Sequence, residues 1–316
     1  APRAYADYRE MLLQEKPDLV SVAPRTPDCH RDMALACAEA GVRGVLMEKP
    51  LATNLQEADE MVAACEHTGM KMAICHQARY APRLKVARDL VTEGRIGDLL
   101  EMRARGKEDH RGGGEDLMVL GTHLMDLMRL FAGDSQWCFA RVTENGRPIT
   151  RASIRTCEDG IGPFAGDALS AVYGFAPPLT GYFASHRARH GVSARFALHL
   201  FGSKGQMTIK TDLAQVFLLE DPSWNPGKSG ALWQPVTSEG VGVPETQPPY
   251  TLRYGNSLIA RDLIRCVEED RQPFGSIYDG RAALEMILAV YESQRLNAPV
   301  SLPLAERVHP LERFDF

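Results

Sequence analysis

Two short segments of the sequence carry side chains suited to acid–base chemistry. The first is Glu48-Lys49-Pro50, which lies at the end of the apolar run 44–48 and just before a helical pattern. Ligands of doubly wound sheets lie beyond the carboxyl ends of the strands, so this position would place the Lys49 ammonium in a binding crevice. Pro50 fixes the backbone there, and Glu48 is placed to orient the lysine. A solvated Glu–Lys pair ahead of a helix is the alternative interpretation.

The second segment is Gly-Thr-His-Leu-Met-Asp at 121–126, inside a predicted helix that follows three consecutive glycines. His123 and Asp126 are three residues apart and are therefore neighbours on one helix face. A carboxylate one turn away can hold an imidazole in one tautomer and raise its basicity, which suits a general base. A core histidine bonded to a backbone carbonyl is the alternative interpretation.

The elements that must position these residues alternate between helix and strand in the first part of the chain. Apolar runs at 18–23, 44–48 and 71–75 are separated by helical patterns. Such alternation indicates parallel strands joined by right-handed crossovers, and hence a doubly wound sheet. Because only three strands are visible, we expect this sheet to be incomplete.

After residue 79 the pattern changes to short strands with glycine-containing turns. One helix over 115–131 is predicted to cover the sheet, helices near 256–270 and 279–296 follow, and 221–250 is predicted to be a long surface loop. The predicted strands are 99–108, 135–143, 168–175, 179–187, 195–202, 206–210 and 214–220. The expected fold class is α/β: an incomplete Rossmann sheet followed by an α+β domain with a large mixed or antiparallel sheet.

Composition narrows the function classes further. The 316 residues suffice for about two domains, and 36 Lys and Arg against 41 Asp and Glu give a net charge of −5. That charge disfavours nucleic acid and anionic membrane as partners, and no apolar stretch reaches the roughly 18 residues of a membrane helix. The seven cysteines stand singly without a CxxC pair. We therefore expect no disulfide framework, no metal site and a cytoplasmic location.

Six segments in the same order as in a known family resemble the Gfo/Idh/MocA oxidoreductases. They are VSVAPRTPDCHRDMALACAEAG (20–41), EKPLA (48–52), RYAP (79–82), EGRIGDLLEMRARG (93–106), GTHLMD (121–126) and IYDGRAALEMILAVYESQRLNAPVSLPL (277–304). The resemblance implies that 1–78 is the C-terminal part of a dinucleotide-binding Rossmann domain and that 79–316 is a substrate and oligomerisation domain. It further implies NAD or NADP as cofactor, a homo-oligomer formed through the open sheet, and packing of helix 279–296 against the first domain.

The same resemblance assigns roles to individual residues. Lys49 matches the lysine that touches the substrate hydroxyl and the nicotinamide, and His123 matches the histidine that shuttles the proton. Hydride transfer from an alcohol requires both a cation that stabilises alkoxide character and a base near neutral pKa. The candidate cofactor contacts are Glu48, Lys49, Pro50, Gln77 and Arg79. The candidate substrate contacts are Tyr80, Lys107, Glu108, Asp109 and His110, of which the last four have a solvated charged loop as their alternative interpretation.

Two features depart from the family pattern. The chain contains no G-x-G-x-x-G phosphate loop and begins at Ala1, so we interpret it as part of a longer enzyme whose NAD- or NADP-selective segment lies outside it. The family often has Asp four residues before the histidine, and this chain has Val119. A valine cannot orient an imidazole, so Asp126 or Asp116 would have to do so.

The sequence therefore predicts an NAD(P)-dependent oxidoreductase that transfers a hydride between nicotinamide and a sugar, cyclitol or related polyol. A reductase of small cyclic diols or imines on the same scaffold is one alternative. A catalytically silent binding or assembly relative is another. The absent phosphate loop and Val119 favour the silent relative, whereas Lys49, His123 and Asp126 oppose it.

Overall fold

The computed structural model describes residues 3–187, 195–212 and 214–315. Its first part is a parallel sheet with strand order β1-β2-β3. Helices α2 and α3 connect these strands, so the predicted Rossmann-type arrangement is confirmed. The bounds are β1 Leu19–Val22, β2 Gly44–Met47, β3 Lys71–Ile74, α1 Tyr8–Glu15, α2 His30–Glu39 and α3 Leu55–Thr68.

Helix α3 shows how the sequence sets the loop that carries Lys49. The Asn54 side chain accepts a hydrogen bond from the Glu57 amide at 2.9 Å, which caps the helix, and Gly69 ends the helix with φ +76°. Its apolar residues recur every three or four positions and are buried, namely Leu55, Ala58, Met61, Val62 and Cys65. The loop 48–54 is therefore held between a buried strand and a buried, capped helix.

The second part is built on an eleven-stranded sheet with the order β15-β14-β13-β12-β11-β4-β10-β9-β5-β16, where β6 also pairs with β5. Strands β4 and β10 are parallel and the other pairs are antiparallel, which confirms the predicted mixed sheet. Strands β7 and β8 form a separate two-stranded ladder. The bounds are β4 Leu99–Arg105, β5 Trp137–Glu144, β6 Arg147–Pro148, β7 Ile154–Arg155, β8 Phe164–Ala165, β9 Ala168–Gly174, β10 Thr180–His186, β11 Ala197–Gly202, β12 Gln206–Lys210, β13 Gln215–Leu219, β14 Gln234–Thr237, β15 Gly240–Val241 and β16 Val300–Ser301.

Six further helices accompany this sheet within the described residues. None of the described helices combines the length and apolarity needed to cross a bilayer. The bounds are α4 Pro82–Thr92, α5 Gly114–Val119, α6 Gly121–Ala132, α7 Pro226–Ser229, α8 Leu252–Glu269 and α9 Ile277–Leu296.

Two sequence-based expectations about these elements were wrong. The single helix predicted over 115–131 is two helices, because Leu120 has φ −120° and interrupts the helical backbone between α5 and α6. The surface loop predicted over 221–250 contains α7, β14 and β15, and β14 extends the sheet by pairing Val236 with Val216. The sequence does not predict this short edge strand, because Pro235 and the neighbouring glycines are of types that are depleted in strands.

Helix α9 contacts both sheets. Near its start Gly280 packs closely on Ile74 of β3, and Arg281 pairs with Asp59 of α3 at 3.3 Å. Near its end the Ser293 hydroxyl accepts a hydrogen bond from the Ala140 amide of β5 at 2.9 Å. The two parts of the chain are thereby held together through one buried helix.

Candidate functional site

A pocket of about 300 Å³ lies at the carboxyl ends of the three parallel strands. The segment after each strand contributes to the wall: Arg25 after β1, Glu48 to Pro50 after β2, and Gln77 after β3. The second part of the chain completes the wall with Lys107, Val119, Leu120, His123, Asp159, Ile161, Phe196, Thr211, Asp212, Tyr250 and Leu252. This is the crevice in which α/β sheets hold their ligands.

Lys49 is half-buried in the wall of this pocket. Its ammonium donates to the Val119 carbonyl oxygen at 3.0 Å, and its backbone amide donates to the Glu48 carboxylate at 3.1 Å. Burial lowers the pKa of Lys49, and the Glu48 carboxylate opposes that shift. The ammonium has donors to spare for a ligand oxygen, because it can make three hydrogen bonds.

His123 lies in the first turn of α6 and lines the same pocket. Burial, the Lys49 ammonium and His76 all lower the pKa of the imidazole, well below its ordinary value of 6.5. No described residue forms a hydrogen bond with its ring nitrogens. The ring is therefore neutral at pH 7 and has an acceptor nitrogen available for a substrate proton.

Asp126, expected to orient His123, is engaged elsewhere. Its carboxylate accepts two hydrogen bonds from the Arg79 guanidinium, at 3.1 and 2.7 Å. Burial raises the pKa of Asp126, but Arg79 and His76 outweigh burial and hold that pKa well below its usual range. The carboxylate therefore acts on His123 only through space, and the net shift of the His123 pKa is downward rather than upward.

His76, which sequence analysis did not single out, lies between Asp126 and His123. Its Nδ1 is 3.3 Å from an Asp126 oxygen without the alignment of a hydrogen bond, and its Nε2 is 2.9 Å from the Thr122 hydroxyl. The rings of His76 and His123 meet edge to face with centroids 5.5 Å apart. Its position directly after β3, beside Gln77, was the available signal.

Arg79 and Tyr80 were expected to face the crevice, and the structure places both outside the pocket. Besides Asp126, Arg79 donates to the Phe274 carbonyl at 2.7 Å and to Asp279 at 3.3 Å. The Tyr80 hydroxyl donates to Asp262 at 3.1 Å and accepts from the Gly275 amide at 2.7 Å. Their polar atoms are thus used in packing α8 and α9 against the first part of the chain.

Of the four candidates at 107–110, Lys107 alone lines the pocket. Glu108 is buried, where it pairs with Arg105 at 2.7 Å. Asp109 accepts hydrogen bonds from Arg111, which lower the pKa of Asp109 to about 2, and the His110 side chain is 85% exposed. The structure therefore brings one residue of this loop to the site.

Asp116, the other candidate partner of His123, shapes this same loop. Its carboxylate accepts hydrogen bonds from the amides of Lys107 at 3.3 Å and Glu108 at 3.1 Å, and from the Ser185 hydroxyl at 2.5 Å. Burial raises the pKa of Asp116, and these three donors oppose the shift. Asp116 consequently acts on the pocket by fixing the backbone that carries Lys107.

The lining residues differ in whether the sequence could have located them. Gln77 was predicted, and its carbonyl accepts a 2.6 Å hydrogen bond from the Tyr250 hydroxyl. Arg25 lies in the segment after β1, as Lys49 lies in the segment after β2, and could have been found by the same argument. The others come from distant loops: Asp159, Ile161, Phe196, Thr211, Asp212 and Tyr250.

The residues present fit the nicotinamide end of a dinucleotide. The pocket lies beyond parallel strand ends, and it joins a half-buried ammonium to a neutral imidazole. Glu48, Lys49, Pro50 and Gln77 line the pocket and could hold that group. No three or more His, Cys, Asp or Glu side chains among the described residues are grouped to hold a metal ion.

Known proteins share this architecture. The model of the oxidoreductase family with an NAD-binding Rossmann fold matches residues 1–76. Levoglucosan dehydrogenase of Pseudarthrobacter phenanthrenivorans is 24% identical over 94% of this chain and 83% of its own. D-apiose dehydrogenase of Paraburkholderia graminis is 24% identical over 98% of this chain and 79% of its own. A levoglucosan dehydrogenase structure, in complex with NADH and levoglucosan, has the same fold, with a TM-score of 0.75, 19% identity and coverage of 95% of this chain and 84% of that one.

The fold and the site together define a nicotinamide-dependent oxidoreductase built on a Rossmann-type sheet and a large mixed sheet. Residues 1–76 belong to the Gfo/Idh/MocA oxidoreductase family, whose model matches them, and the ordered motifs along the chain are similar to those of that family. It uses NAD or NADP as its cofactor.

Proposed function

We propose that this enzyme transfers a hydride between nicotinamide and the carbon of a sugar, cyclitol or related polyol, with Lys49 and His123 at the reacting oxygen. The observation that carries the proposal is that both side chains line one pocket at the strand ends. Relatives named as levoglucosan and D-apiose dehydrogenases support a sugar-like substrate.

The two side chains supply what alcohol oxidation needs besides the cofactor. A bound nicotinamide provides the carbon that takes up the hydride. Lys49 donates to the substrate oxygen and stabilises its alkoxide character, and the neutral His123 accepts the hydroxyl proton as the carbonyl forms. In the reverse direction His123 returns the proton to the oxygen. His76 is a positioning residue in this scheme, because its ring packs edge to face on His123, whereas Asp126 acts on His123 only through space.

Lys49→Met tests this assignment. We expect kcat to fall by about 10²-fold or more, as when an oxyanion donor is removed, while cofactor affinity changes little. The measurement is the steady-state rate of nicotinamide reduction with a panel of sugars and polyols, together with cofactor titration by fluorescence.

Lys71→Met is the matched control. Lys71 begins strand β3, whose other end is at the pocket, and it pairs with Asp270 at 2.6 Å. It should retain wild-type turnover. Wild-type turnover in Lys49→Met would instead show that Lys49 is only a partner of Glu48.

The proposal assigns residues 1–78 to the cofactor and 79–316 to substrate and assembly. The parallel sheet lies within 19–74, and the strands of the mixed sheet lie within 99–301. The seven cysteines are unpaired thiols, buried or half-buried, which supports the cytoplasmic location that is part of the proposal.

A homo-oligomer formed through the open face of the mixed sheet is a further part of the proposal. Residues paired in register share a face, and the row Phe139, Val172, Tyr182 crosses three strands on the more exposed face of the sheet. Phe139 and Tyr182 are 43% and 39% exposed, beside a cleft of about 750 Å³. Exposed aromatic side chains grouped in this way mark association surfaces.

Tyr182→Glu tests the oligomer. A carboxylate at the centre of the face should shift the sedimentation coefficient toward that of the monomer. Leu232→Glu, at a 79% exposed residue outside the sheet, is the control and should leave the coefficient unchanged. Identical sedimentation of Tyr182→Glu and wild type would rule out this face as the interface.

A further inference from the structure

A β-hairpin of the second part of the chain borders the pocket and has no role in the chemistry described above. Its strands β7 and β8 pair antiparallel, with Ile154 opposite Ala165, and residues 156–163 connect them. The Gly160 amide donates a hydrogen bond to the Cys157 carbonyl at 3.2 Å, which closes a turn at the tip. The segment 156–163 is called here the hairpin loop.

The base of this hairpin is fixed in the core. Phe164 and Ala165 are 5% and 1% exposed, and the Ala165 amide donates a hydrogen bond to the buried Tyr291 hydroxyl of α9 at 3.2 Å. A side chain at Gly114 would collide with the Ala165 carbonyl, so α5 also packs directly on this strand. The hairpin is therefore anchored to the same helix that joins the two parts of the chain.

The tip of the hairpin loop packs on the first part of the chain through two glycines. A Cβ atom on Gly160 would lie 2.6 Å from Asp28 Cγ, and a Cβ atom on Gly162 would lie 3.2 Å from Thr53 Cβ. Asp28 lies in the segment after β1, and Thr53 lies in the loop between β2 and α3. Both glycines have positive φ, +57° and +78°, which other residues rarely adopt. The hairpin loop thus spans the crevice from the second part of the chain to the first.

Between these two contacts the hairpin loop forms part of the pocket wall. Asp159 and Ile161 both line the pocket. Asp159 is exposed, whereas Ile161 is 2% exposed and packs in the hydrophobic core. A close-packed interior side chain cannot move aside without cost. Ile161 therefore gives the pocket an apolar wall that does not yield on this side.

The space enclosed by this wall is small. Its volume of about 300 Å³ is at the lower end for small-molecule sites, which range from about 300 to 1,000 Å³. Under the proposed function the same space admits both the nicotinamide ring and the substrate. A substrate substituent that points toward Ile161 would therefore meet packed atoms rather than solvent.

We propose that the hairpin loop limits the size of the substrate, and that Ile161 excludes any substituent larger than a hydroxyl on the sugar carbon that faces it. The inference rests on the proposed function and deepens it by naming size as a criterion of selection and the residue that sets it. Single-ring sugars and cyclitols fit this pocket, whereas the same rings alkylated or glycosylated at that carbon do not.

The test begins with D-glucose, D-xylose, myo-inositol and levoglucosan and continues with whichever binds the cofactor-loaded enzyme most tightly. Dissociation constants are measured by ligand-observed NMR titration for that parent compound, its mono-O-methyl ethers and the corresponding deoxy compounds. A methyl ether adds bulk at one oxygen, whereas a deoxy compound loses the same hydroxyl without adding bulk. The comparison therefore separates size from hydrogen bonding.

The variants shorten the side chain at the wall. Ile161→Ala removes most of it, and Ile161→Val removes less, so the second variant supplies the answer if the first does not fold. Ile149→Ala is the matched control, because Ile149 is also 2% exposed and does not line the pocket. Thermal unfolding of each variant identifies any effect caused by misfolding.

In the wild type we expect at least one methyl ether to bind about tenfold or more weakly than its parent, because added bulk in a packed pocket is costly. Ile161→Ala should bring that ether to within about threefold of the parent, and Ile161→Val should recover part of the difference. The deoxy compound at the same carbon should gain nothing from either change. Ile149→Ala should keep the wild-type pattern.

Three results would overturn the size limit. They are ethers that all bind as tightly as the parent in the wild type, weak ethers that stay equally weak in both Ile161 variants, and an equal gain in Ile149→Ala. Rate measurements on the same compounds separate this inference from the proposed function. Hydride transfer without discrimination between ethers refutes the size limit alone, whereas discrimination without hydride transfer refutes the proposed reaction alone. Failure of all four parent compounds to bind refutes the proposed substrate class and the size limit that rests on it.

Discussion

Two neighbouring positions on one face of helix α6 carry polar groups of opposite character. His123 faces the pocket, where it has no hydrogen-bond partner among the described residues and where the nearby Lys49 ammonium is held only by a backbone carbonyl. One turn further along α6 lies a cluster, called here the buried ion cluster, in which each charge has an opposite charge beside it. Its members are Arg79, Asp126, Asp279 and Arg129, with Arg129 also paired to Asp134 at 2.6 Å.

Helix α6 therefore carries residues that stabilise the fold next to a residue that is suited to proton transfer. Buried charges persist only when they are paired and hydrogen-bonded, so the cluster fixes α6 against α9 and the segment after β3. The pocket side leaves donors and acceptors open, which is what a ligand-binding site requires. Asp126 and His123 are three residues apart, yet one holds the fold together and the other is free to exchange a proton.

Asp126→Asn should produce the largest effect, because it leaves the buried Arg79 guanidinium without its principal counter-charge. We expect the free energy of unfolding to fall by about 3–5 kcal/mol in urea denaturation. Asp89→Asn is the matched control, since its pair with Lys85 is exposed, and it should cost less than about 1 kcal/mol. Equal stabilities of these two variants would contradict the structural role of the cluster.

The stability difference between wild type and Asp126→Asn should also depend on pH. The folded-state pKa of Asp126 lies below its unfolded value, so its contribution to stability is complete above the unfolded pKa of about 3.9 and declines as pH falls through the folded one. The stability difference between wild type and Asp126→Asn should therefore narrow below about pH 4. A difference that stays constant from pH 7 to the lowest accessible pH would contradict the ionised carboxylate.

His123→Gln tests the pocket side. Because the pKa of His123 is lowered, wild-type alcohol oxidation should remain level as pH falls through 6.5 and decline only at lower pH. In the His123→Gln variant kcat should fall by about 10²-fold or more, and the decline of the rate at low pH should disappear. Its unfolding free energy should change less than that of Asp126→Asn. A wild-type profile with its midpoint at or above pH 6.5, or an unchanged profile in the variant, would contradict neutral His123 as the base.

The sequence predicts which residues reach the pocket but not which residues pair in the buried ion cluster. Strand ends and helix faces are local properties, so the order of elements located Lys49, Gln77 and His123 at the crevice. The partner of Asp126 was not predictable, because an i,i+3 spacing shows that two side chains share a helix face but not which element packs there. The acceptors around Arg79 lie 47 to 200 residues away in the chain.

Other pocket residues escaped sequence analysis for the same reason. Asp212 lies beside Lys107 only because β11 is interposed between β4 and β12 in the sheet. The edge strand β14 was missed because its pairing energy comes from a partner strand rather than from its own proline-containing sequence. Pairing between strands that are distant in the sequence thus determines both positions, and a local sequence pattern does not report such pairing.

Val119→Asp gives a smaller and more local effect. Val119 lines the pocket, is 6% exposed and accepts the Lys49 hydrogen bond through its carbonyl. A carboxylate there should raise the pKa of His123 and cost about 1–3 kcal/mol of stability, measured by NMR titration and urea denaturation. Val119→Asn controls for polarity without charge. Identical His123 titration in the Asp and Asn variants would show that this side chain does not face the imidazole.

The most direct test of the account is the pKa of His123 in wild type and in Lys49→Met, measured by NMR titration. The ammonium of Lys49 lowers that pKa, so its removal should raise the pKa of His123. An identical His123 pKa in both proteins would show that the two groups do not share one site.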